Sequence, residues 1–270
     1  MGLKEFYKDK VVLVTGSSMG LGKEIARQVL INGGQVVITS RDIHKLNDVE
    51  KEFDVWADRI FIKSCDVTNF ETVKKVVELT IKRFGRLDVL INNAGISGFG
   101  EVELLKPGVA RQIVEVNILG SLFPVTVSIP ELKKTKGSVL FISSVAGLHG
   151  IPGYSLYSLS KMALKGLSQS LSFELKHDGI FVGITFPCFI ENESNKLVLN
   201  ASGGWEKVSI RPKLFTHSRR ETAIKILNQI MNKRKSETHS GIGKFTHFLS
   251  LYFPSVLRYF LYNSYRKKQV

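Results

Sequence analysis

The stretch that decides the fold is VVLVTGSSMGLG, which runs from Val11 to Gly22. Its apolar, β-branched start predicts a strand, and the glycines that follow predict a turn leading into a helix over 23–31. Such a turn lets the backbone approach a pyrophosphate, whose charge the helix N-terminus stabilises. Gly16 permits a tight turn, Gly20 close approach of the phosphate, and Gly22 close helix packing. Because the spacing differs from G-x-G-x-x-G, a turn that merely joins two elements is the alternative.

Five further runs of apolar and β-branched residues follow, and segments with helical periodicity separate them. Nearly all residues in these runs are apolar, as expected for parallel strands covered on both faces. The sequence therefore predicts an α/β fold with a doubly wound parallel sheet, a Rossmann fold, over residues 1–235, followed by an amphipathic helical tail over 236–270. The six predicted strands are 11–15, 35–39, 59–64, 87–91, 138–143 and 181–186.

The connections between strands include one clear helix and one long polar stretch. Thr68 and Glu71 predict a capping box, and apolar residues recur at helical spacing from Val73 to Phe84. Residues 191–219 are polar and longer than an ordinary connector. They predict a loop that covers a substrate, with a disordered insertion as the alternative.

Composition limits the classes of protein to consider. The 270 residues are 43% hydrophobic and 23% charged, which is ordinary for a globular protein and excludes disordered, collagenous and disulfide-scaffold classes. Cys65 and Cys188 form neither a disulfide framework nor a metal-ligand spacing, so we expect a cytoplasmic, reducing location and no metal site. We also expect no signal peptide in Met1–Lys10, and no apolar run of the roughly 18 residues that span a bilayer.

The last forty residues carry half of the formal net charge of +14, since eight basic residues stand there against Glu237 alone. Apolar residues in this tail recur at the spacing of an amphipathic helix that Pro254 should stop: Phe245, Phe248, Leu249, Tyr252 and Phe253. This stripe suits packing on the domain or a second subunit, and equally a peripheral membrane contact through residues 245–270. A nucleic-acid arm is a less favoured reading.

The end of the second predicted strand indicates which dinucleotide the turn would hold. NAD sites use an acidic residue there for the ribose 2′-hydroxyl, whereas an arginine accommodates the 2′-phosphate of NADP. Ser40 can donate to that phosphate and Arg41 can pair with it bidentately. Asp42 is the rival, but it stands where a helix N-cap belongs. The sequence therefore favours NADP(H) over NAD(H).

Tyr157 and Lys161 lie four residues apart in a predicted helix, so both side chains leave one face. A phenol is a poor base at neutral pH, but a nearby ammonium group favours the phenolate, and Lys161 can supply it. Ser144 follows the strand predicted over 138–143, at the carboxyl end of the strand, where ligands bind in open α/β sheets. Its hydroxyl can polarise a carbonyl oxygen. Without the other features, a tyrosine and a lysine at this spacing usually lie on a solvent-exposed helix face and have no functional role.

Together these features resemble the short-chain dehydrogenase/reductase family over about residues 8–232. The resemblance implies that Tyr157 is the acid/base and that Ser144 orients the carbonyl or hydroxyl group. Lys161 would bind the nicotinamide ribose and lower the pKa of Tyr157, and Asn117 would complete a proton relay. The resemblance rests on the glycine-rich turn, on the Tyr/Lys pair, and on further residues that stand in the family's order and spacing. These are Asp66, Asn92-Asn93-Ala94-Gly95, Asn117 and Ser144.

The resemblance also implies a dinucleotide site. Asp66 would contact the adenine, and Asn93-Ala94-Gly95 would line the adenosine ribose side. The expected cofactor-binding residues are Gly16, Ser18, Gly20, Leu21, Gly22, Ser40, Arg41, Asp66, Val67, Asn93, Ala94, Gly95, Tyr157, Lys161, Pro187, Ile190 and Asn192.

The chain departs from the family pattern at two places. Pro187-Cys188 stands where the family usually has Pro-Gly, and Asn192 replaces a usual threonine, although its amide can still bond the nicotinamide carboxamide. The usual apolar last strand is not evident in 236–244. The tail that follows resembles those of membrane-associated members such as 11-beta-hydroxysteroid dehydrogenases and 3-ketodihydrosphingosine reductases.

The sequence thus predicts an NADP(H)-dependent oxidoreductase that transfers hydride between nicotinamide and a carbonyl or secondary alcohol of an apolar, lipid-like small molecule. The alternative is a nucleotide-binding scaffold or regulator with incidental turnover, against which the complete set of Asn117, Ser144, Tyr157 and Lys161 argues. We expect a homo-oligomer, either a dimer or a tetramer, and no nucleic-acid partner.

Overall fold

A seven-stranded parallel sheet organises the chain, for which a computed structural model describes residues 1–191, 197–207 and 216–266. The described strands are β1 (Val11–Val14), β2 (Gln35–Ser40), β3 (Ile60–Ser64), β4 (Val89–Asn92), β5 (Gly98–Phe99), β6 (Ser138–Ile142), β7 (Phe181–Thr185), β8 (Leu197–Asn200), β9 (Trp205–Lys207) and β10 (Ser236–Glu237). Their order in the main sheet is β10-β7-β6-β4-β1-β2-β3. The six strands expected from the sequence are all present, and the predicted doubly wound parallel sheet is confirmed.

Helices cover both faces of this sheet. The described helices are α1 (Leu3–Tyr7), α2 (Gly20–Ile31), α3 (Ile43–Glu52), α4 (Phe70–Phe84), α5 (Pro107–Val114), α6 (Gly120–Thr135), α7 (Ser155–Glu174), α8 (Arg219–Met231), α9 (Gly241–Tyr252) and α10 (Pro254–Arg266). Ile25 of α2 and Ile226 of α8 lie in one buried cluster. Val76 of α4 and Leu164 of α7 lie in the other. Strands β1, β4, β6 and β7 are buried throughout because apolar layers cover them on both sides.

The helix expected after the third strand is confirmed as α4, but its N-terminus differs from the prediction. Asn69 is the N-cap, and its side-chain oxygen accepts a hydrogen bond from the backbone N–H of Thr72 at 3.0 Å. The Thr68 hydroxyl instead donates to the Asp66 carboxylate at 2.8 Å. The predicted capping box is therefore wrong, because Asp66 competes for the Thr68 side chain.

One helical run is long enough and apolar enough to cross a membrane, whereas the sequence analysis expected no such run. This run, Pro107–Thr135, has a mean hydropathy of 1.5 over its most apolar window, and 44% of that window is buried in the fold. Val125 and Leu132 belong to the main core cluster. We therefore assign the run to the core of the domain.

The long polar stretch after β7 contains regular structure. β8 and β9 pair antiparallel, and β8 also pairs in parallel with β5, which makes a second sheet of three strands. Residues 192–196 and 208–215 lie outside the described part of the chain. The expectation of a loop over 191–219 is thus corrected for 197–207, where a hairpin is present.

The last strand of the main sheet and the tail complete the fold. β10 pairs in parallel with β7 over two residues, so the strand that was not evident in the sequence exists in a very short form. The tail forms α9 and α10, which meet at Phe253, the non-helical C-cap of α9. Pro254 then begins α10, a position that suits proline because the first turn of a helix needs no N–H donor there.

Candidate active site

The glycine-rich turn joins β1 to α2 and lies against the end of β4. Gly16 has a φ of +62°, and a Cβ added there would lie only 2.8 Å from Cα of Ala94. Both the left-handed backbone and this close approach require glycine. A Cβ on Gly22 would lie 2.6 Å from the carbonyl oxygen of Gly16 and would overlap the amide of Asn93. The two glycines therefore let the turn fold onto the loop after β4, a contact that goes beyond the tight turn expected at Gly16 and the close helix packing expected at Gly22.

Side-chain hydrogen bonds hold this turn in place. The hydroxyl oxygen of Thr15 accepts from the backbone N–H groups of Asn93 and Ala94, each at 3.0 Å. The Asn93 amide donates to the carbonyl oxygens of Thr15 at 3.0 Å and Gly16 at 2.9 Å. Ser17 donates to the carbonyl of Val14 at 2.6 Å and accepts from a β2 backbone N–H at 3.0 Å. Sequence reasoning assigned no role to Thr15 or Ser17, although both lie within the quoted motif.

The surface of the turn near the N-terminus of α2 is shaped to receive a phosphate. Gly20 begins α2 with a φ of +59°, and a Cβ added there would meet no atom within 4 Å. Among the described residues the turn is therefore uncrowded on the Gly20 side, and a helix N-terminus placed there can hold an anion. Ser18 is buried and Leu21 packs against the core, so both support the turn.

The end of β2 presents a basic side chain and an acidic one with different roles. The Asp42 carboxylate accepts from the backbone N–H of Lys45 at 3.1 Å, which makes Asp42 the N-cap of α3 and holds the pKa of this carboxyl below its usual value. Ser40 accepts from the backbone N–H of Asp42 at 3.2 Å. Arg41 is exposed beside them. The arrangement commits Asp42 to the helix and leaves the Arg41 guanidinium at the surface.

Asp66 and Val67 lie at the loop after β3. One oxygen of the Asp66 carboxylate accepts from the backbone N–H and the hydroxyl of Thr68, at 3.0 and 2.8 Å. Val67 is buried, and a Cβ on Gly120 would lie 2.6 Å from its side chain. Val67 therefore packs against the start of α6.

Asn117 is fully buried in a π-helical turn, Glu115–Leu119, between α5 and α6. π-Bulges in helices are frequent at functional sites. The Asn117 amide oxygen accepts from the backbone N–H of Ile96 at 2.8 Å, and its nitrogen donates to the Ile96 carbonyl at 2.9 Å and to the Ser160 hydroxyl at 2.9 Å. A Cβ on Gly95 would lie 3.1 Å from the Asn117 amide oxygen and 3.3 Å from the Lys161 ammonium. Asn117, Gly95 and Lys161 are thus brought together.

Tyr157 and Lys161 share one face of α7, as predicted. The Lys161 ammonium lies 5.8 Å from the centre of the Tyr157 ring and donates to the carbonyl of Ile142 at 3.1 Å. Lys161 is only 5% exposed, so this ammonium is held in a largely desolvated position. Ser160 donates to the backbone carbonyl of Tyr157 at 2.8 Å and links it to Asn117. Ser160 was missed in the sequence, where nothing distinguishes it from the other serines of this helix.

Ser144 lies two residues after the end of β6 and caps a short 3-10 turn, Val145–Gly147. Its hydroxyl accepts from the backbone N–H of Ala146 at 3.3 Å. The turn sits on α7, because a Cβ added to Gly147 would lie 2.8 Å from the Lys161 carbonyl oxygen. The carbonyl of Pro187 accepts from the backbone N–H of Val145 at 3.2 Å, so the segment after β7 also reaches this turn.

The remaining predicted residues lie at the edge of this region. Ile190 forms an isolated bridge with His217. Asn192 falls outside the described residues. Cys188 is half-buried. Burial raises the pKa of the Cys65 thiol to about 11, so Cys65 lacks the lowered thiol pKa of a reactive cysteine. Among the described residues, no cluster of three or more His, Cys, Asp or Glu side chains could hold a metal ion.

These residues fit a nicotinamide dinucleotide. The turn offers a helix N-terminus for the pyrophosphate, and the loop after β4 leads from the Thr15 hydroxyl, which accepts from Asn93, to Gly95 beside the Lys161 ammonium. In addition, the amide of Asn92 is 2% exposed and neither its nitrogen nor its oxygen has a hydrogen-bond partner within the described residues. A buried amide without a hydrogen-bond partner among the described residues, at the carboxyl end of β4, suits a contact with a ligand or with its bound water.

The second sheet lies on the same side as the start of α7. Beneath it a small apolar cluster joins Val109, Ile113 and Leu199 to Leu156, the residue before Tyr157. An open cleft of about 420 Å³ nearby is lined by residues 101–103, residues 152, 153 and 155, and Tyr265 of α10. The apolar cluster and the cleft thus both border the first turn of α7, through Leu156 and Ser155 respectively.

Comparison with known proteins shows which family and which structures this chain is similar to. The family model for short chain dehydrogenases matches residues 10–201. A 3-dehydrosphinganine reductase from Danio rerio is 36% identical over 182 residues, which are 65% of this chain and 55% of that protein. The 11-beta-hydroxysteroid dehydrogenase-like protein 4A from Arabidopsis thaliana is 35% identical over 217 residues, covering 77% of this chain and 71% of that protein. The chain therefore spans just over half the length of the first of these relatives.

Solved structures show the same architecture. A short-chain dehydrogenase from Streptomyces avermitilis superposes with a TM-score of 0.78 at 26% identity, covering 97% of this chain and 98% of that one. The NADP-bound structure of ElxO superposes with a TM-score of 0.73 at 28% identity, covering 85% of this chain and 96% of that one.

Proposed function

Since the chain belongs to the short-chain dehydrogenase family, we propose that it is an NADP(H)-dependent oxidoreductase acting on a carbonyl or secondary alcohol. One observation carries the proposal: Asn117, Ser160, Tyr157 and Lys161 are linked by hydrogen bonds and close contacts on the buried side of α7. A scaffold that only binds a nucleotide has no need of a tyrosine and a buried ammonium placed this way.

The residues of this chain would supply the proton and the orientation. NADPH, when bound, supplies the hydride that reaches the carbonyl carbon. The Tyr157 hydroxyl gives its proton to the carbonyl oxygen, and the Lys161 ammonium stabilises the phenolate that remains. Ser144 donates a hydrogen bond to the same oxygen and fixes its direction. Asn117 holds the backbone at Ile96 and the Ser160 hydroxyl, so that the helix face carrying Tyr157 keeps its place.

The cofactor we propose is NADP(H) in preference to NAD(H). The support is that Asp42, the rival ribose ligand, is already engaged as the N-cap of α3, whereas the Arg41 guanidinium stands exposed next to it. Ser40 adds a hydroxyl at the same strand end. The ElxO neighbour, whose structure was solved with NADP bound, is consistent with this preference.

Holding the dinucleotide falls to the residues around the turn and the strand ends. Gly16, Gly20 and Gly22 with the α2 N-terminus would take the pyrophosphate, and Asp66 and Val67 the adenine side. Asn93, Ala94 and Gly95 would line the ribose side, with Pro187, Ile190 and Asn192 toward the nicotinamide.

The substrate we propose is an apolar, lipid-like ketone or alcohol. The apolar cluster under the second sheet lies next to Leu156, and Leu197 and Trp205 of that sheet are 46% and 45% exposed. The names of the relatives, a 3-dehydrosphinganine reductase and an 11-beta-hydroxysteroid dehydrogenase-like protein, point to the same class. We also propose that the protein is cytoplasmic. We further propose that it forms a homo-oligomer, and sedimentation velocity would test this oligomeric state.

The proposal is tested by following NADPH oxidation with a panel of keto lipids, steroids and small ketones. We expect turnover that is largest with apolar ketones and at least tenfold slower with NADH, since one charge-assisted contact contributes about 1.5–3 kcal/mol. Tight NADPH binding without turnover on any ketone or, in reverse, any alcohol would instead support a nucleotide-binding scaffold.

A further inference from the structure

The tail helices expose an unusual number of aromatic side chains. On α9, Phe245 and Tyr252 are 62% and 67% exposed, and on α10 Tyr259 and Phe260 are 65% and 60% exposed. The ring of Phe248 lies 5.0 Å from that of Tyr252, so neighbouring rings contact each other. We call the exposed apolar side chains of α9 and α10 the tail surface. It is larger and more continuous than the single exposed apolar residues that are normal on a soluble protein.

The tail surface faces away from the domain because the opposite sides of α9 and α10 are anchored. Gly243 of α9 is buried, and a Cβ there would lie 3.5 Å from the Val145 side chain. Leu257 of α10 is 8% exposed, and the Tyr265 hydroxyl donates to the Glu101 carboxylate. The two helices are thus attached to the domain by a few contacts while their aromatic side chains point outward.

The charge of the tail has one sign. After Glu237 no acidic residue occurs up to Val270, whereas five basic residues do: Lys244, Arg258, Arg266, Lys267 and Lys268. Lys244, Arg258 and Arg266 are exposed, and the last two lysines lie outside the described residues. The tail therefore combines an outward aromatic surface with a uniformly positive potential.

We propose that the tail surface docks on an anionic membrane surface. Aromatic side chains at this density suit the boundary between headgroups and acyl chains, and exposed basic residues next to them suit anionic headgroups. A second copy of the chain would bring five like charges against five others across a twofold axis. Phosphates alone, as on a nucleic-acid duplex, would leave the aromatic surface in water.

Docking would also orient the protein. Tyr265 lines the open cleft together with Glu101 and Ser155, and Ser155 begins the helix that carries Tyr157. Since the end of α10 borders this cleft, docking through the tail surface would bring the cleft near the membrane. This consequence rests on the proposed function, whereas membrane binding itself does not.

The test is flotation of the full-length protein with phosphatidylcholine vesicles, with and without about 30% phosphatidylserine. We expect the protein to float with the anionic vesicles and to float weakly with neutral ones. Raising the salt well above 0.1 M, where the Debye length falls below about 10 Å, should reduce binding only in part, because insertion of the rings is not screened. No enzymatic activity is needed, so failure of this proposal and of the redox proposal are separable.

Two pairs of variants separate the contributions. Phe248→Ser with Phe260→Ser should weaken binding at least tenfold. Phe173→Ser should not, although Phe173, which lies outside the tail, is 73% exposed and the two tail residues only 48% and 60%. Lys244→Glu with Arg258→Glu should abolish the preference for anionic vesicles, while Lys74→Glu with Lys75→Glu on α4 should leave it. If the serine variants unfold, Phe248→Trp provides a second readout, because its emission should shift to the blue on adding anionic vesicles.

Three results would overturn the proposal. The first is an intact protein that stays with the soluble fraction at low salt. The second is a dimer that Phe248→Ser with Phe260→Ser converts to a monomer, which would assign the tail surface to a second copy. The third is tighter binding of a single-stranded oligonucleotide than of anionic vesicles under the same conditions.

Discussion

Replacing Gly16 by alanine tests whether the glycine-rich turn is shaped by its contact with the loop after β4. Gly16 and Gly85 both have a positive φ, +62° and +76°, so alanine at either position pays the left-handed penalty of roughly 1–2 kcal/mol. They differ in what the new methyl group meets. At Gly16 it would lie 2.8 Å from Cα and 3.1 Å from Cβ of Ala94, while at Gly85 nothing lies within 4 Å.

Overpacking of this kind typically costs about 1–3 kcal/mol beyond the backbone penalty. We therefore expect the free energy of unfolding, measured in urea, to fall by about 1–2 kcal/mol in Gly85→Ala and by about 2–5 kcal/mol in Gly16→Ala. Because the clash displaces Ala94 from the Thr15 hydroxyl, NADPH affinity should fall at least tenfold in Gly16→Ala only. Equal losses of stability in the two variants, with unchanged NADPH affinity, would refute the reasoning.

Three further predictions follow from the site and its surroundings. Arg41→Ala should bring the dissociation constants of NADPH and NADH within about threefold of each other, whereas Lys51→Ala should keep the gap; equal constants in the unmodified protein would restore Asp42 as a ribose ligand. Lys161→Met should weaken NADPH binding and abolish turnover, while Lys165→Met, one turn along α7, should do neither. Burial, with nearby cations, lowers the pKa of His239 from 6.5 to about 4. As the pH drops, the His239 side chain is protonated in the unfolded chain before it is protonated in the folded protein. The free energy of unfolding should therefore fall by about 3 kcal/mol between pH 6.5 and pH 4. In urea titrations at several pH values, His239→Gln should lack this part of the pH dependence.

The main sheet was predictable because its central strands β1, β4, β6 and β7 are buried on both faces and therefore form continuous apolar runs in the sequence. The proximity of Tyr157 and Lys161 was predictable for a different reason, because residues four apart in a helix share a face. The same rule of apolar runs misses β10, whose two residues Ser236 and Glu237 join the sheet through their backbone alone.

The second sheet was missed because its signals are short. Leu197–Asn200 gives only three apolar residues in a row, and β5 is two residues long. The turn between β8 and β9 did carry a usable signal, since Ser202-Gly203-Gly204 is typical of a hairpin loop and Gly203 has a φ of +93°. The α4 cap was misplaced because two adjacent residues, Thr68 and Asn69, both favour that role, and only the position of Asp66 decides between them.

The tail was predicted as a single amphipathic helix that stops at Pro254, and the structure has two helices that meet there. Helical spacing identifies an apolar face but does not indicate whether that face packs on the domain. In the structure Leu249 is the half-buried member of the predicted pattern, while Phe245 and Phe248 are exposed.

The central claim is that Tyr157 supplies the proton in an NADPH-dependent reduction. Its most direct test is the rate of NADPH oxidation by Tyr157→Phe on the best ketone of the panel, measured together with the NADPH dissociation constant. Removing one hydroxyl that acts only in the transition state should lower kcat by at least about 10³-fold and leave NADPH affinity within a fewfold. A Tyr157→Phe protein that retains a substantial part of the original rate would contradict the account.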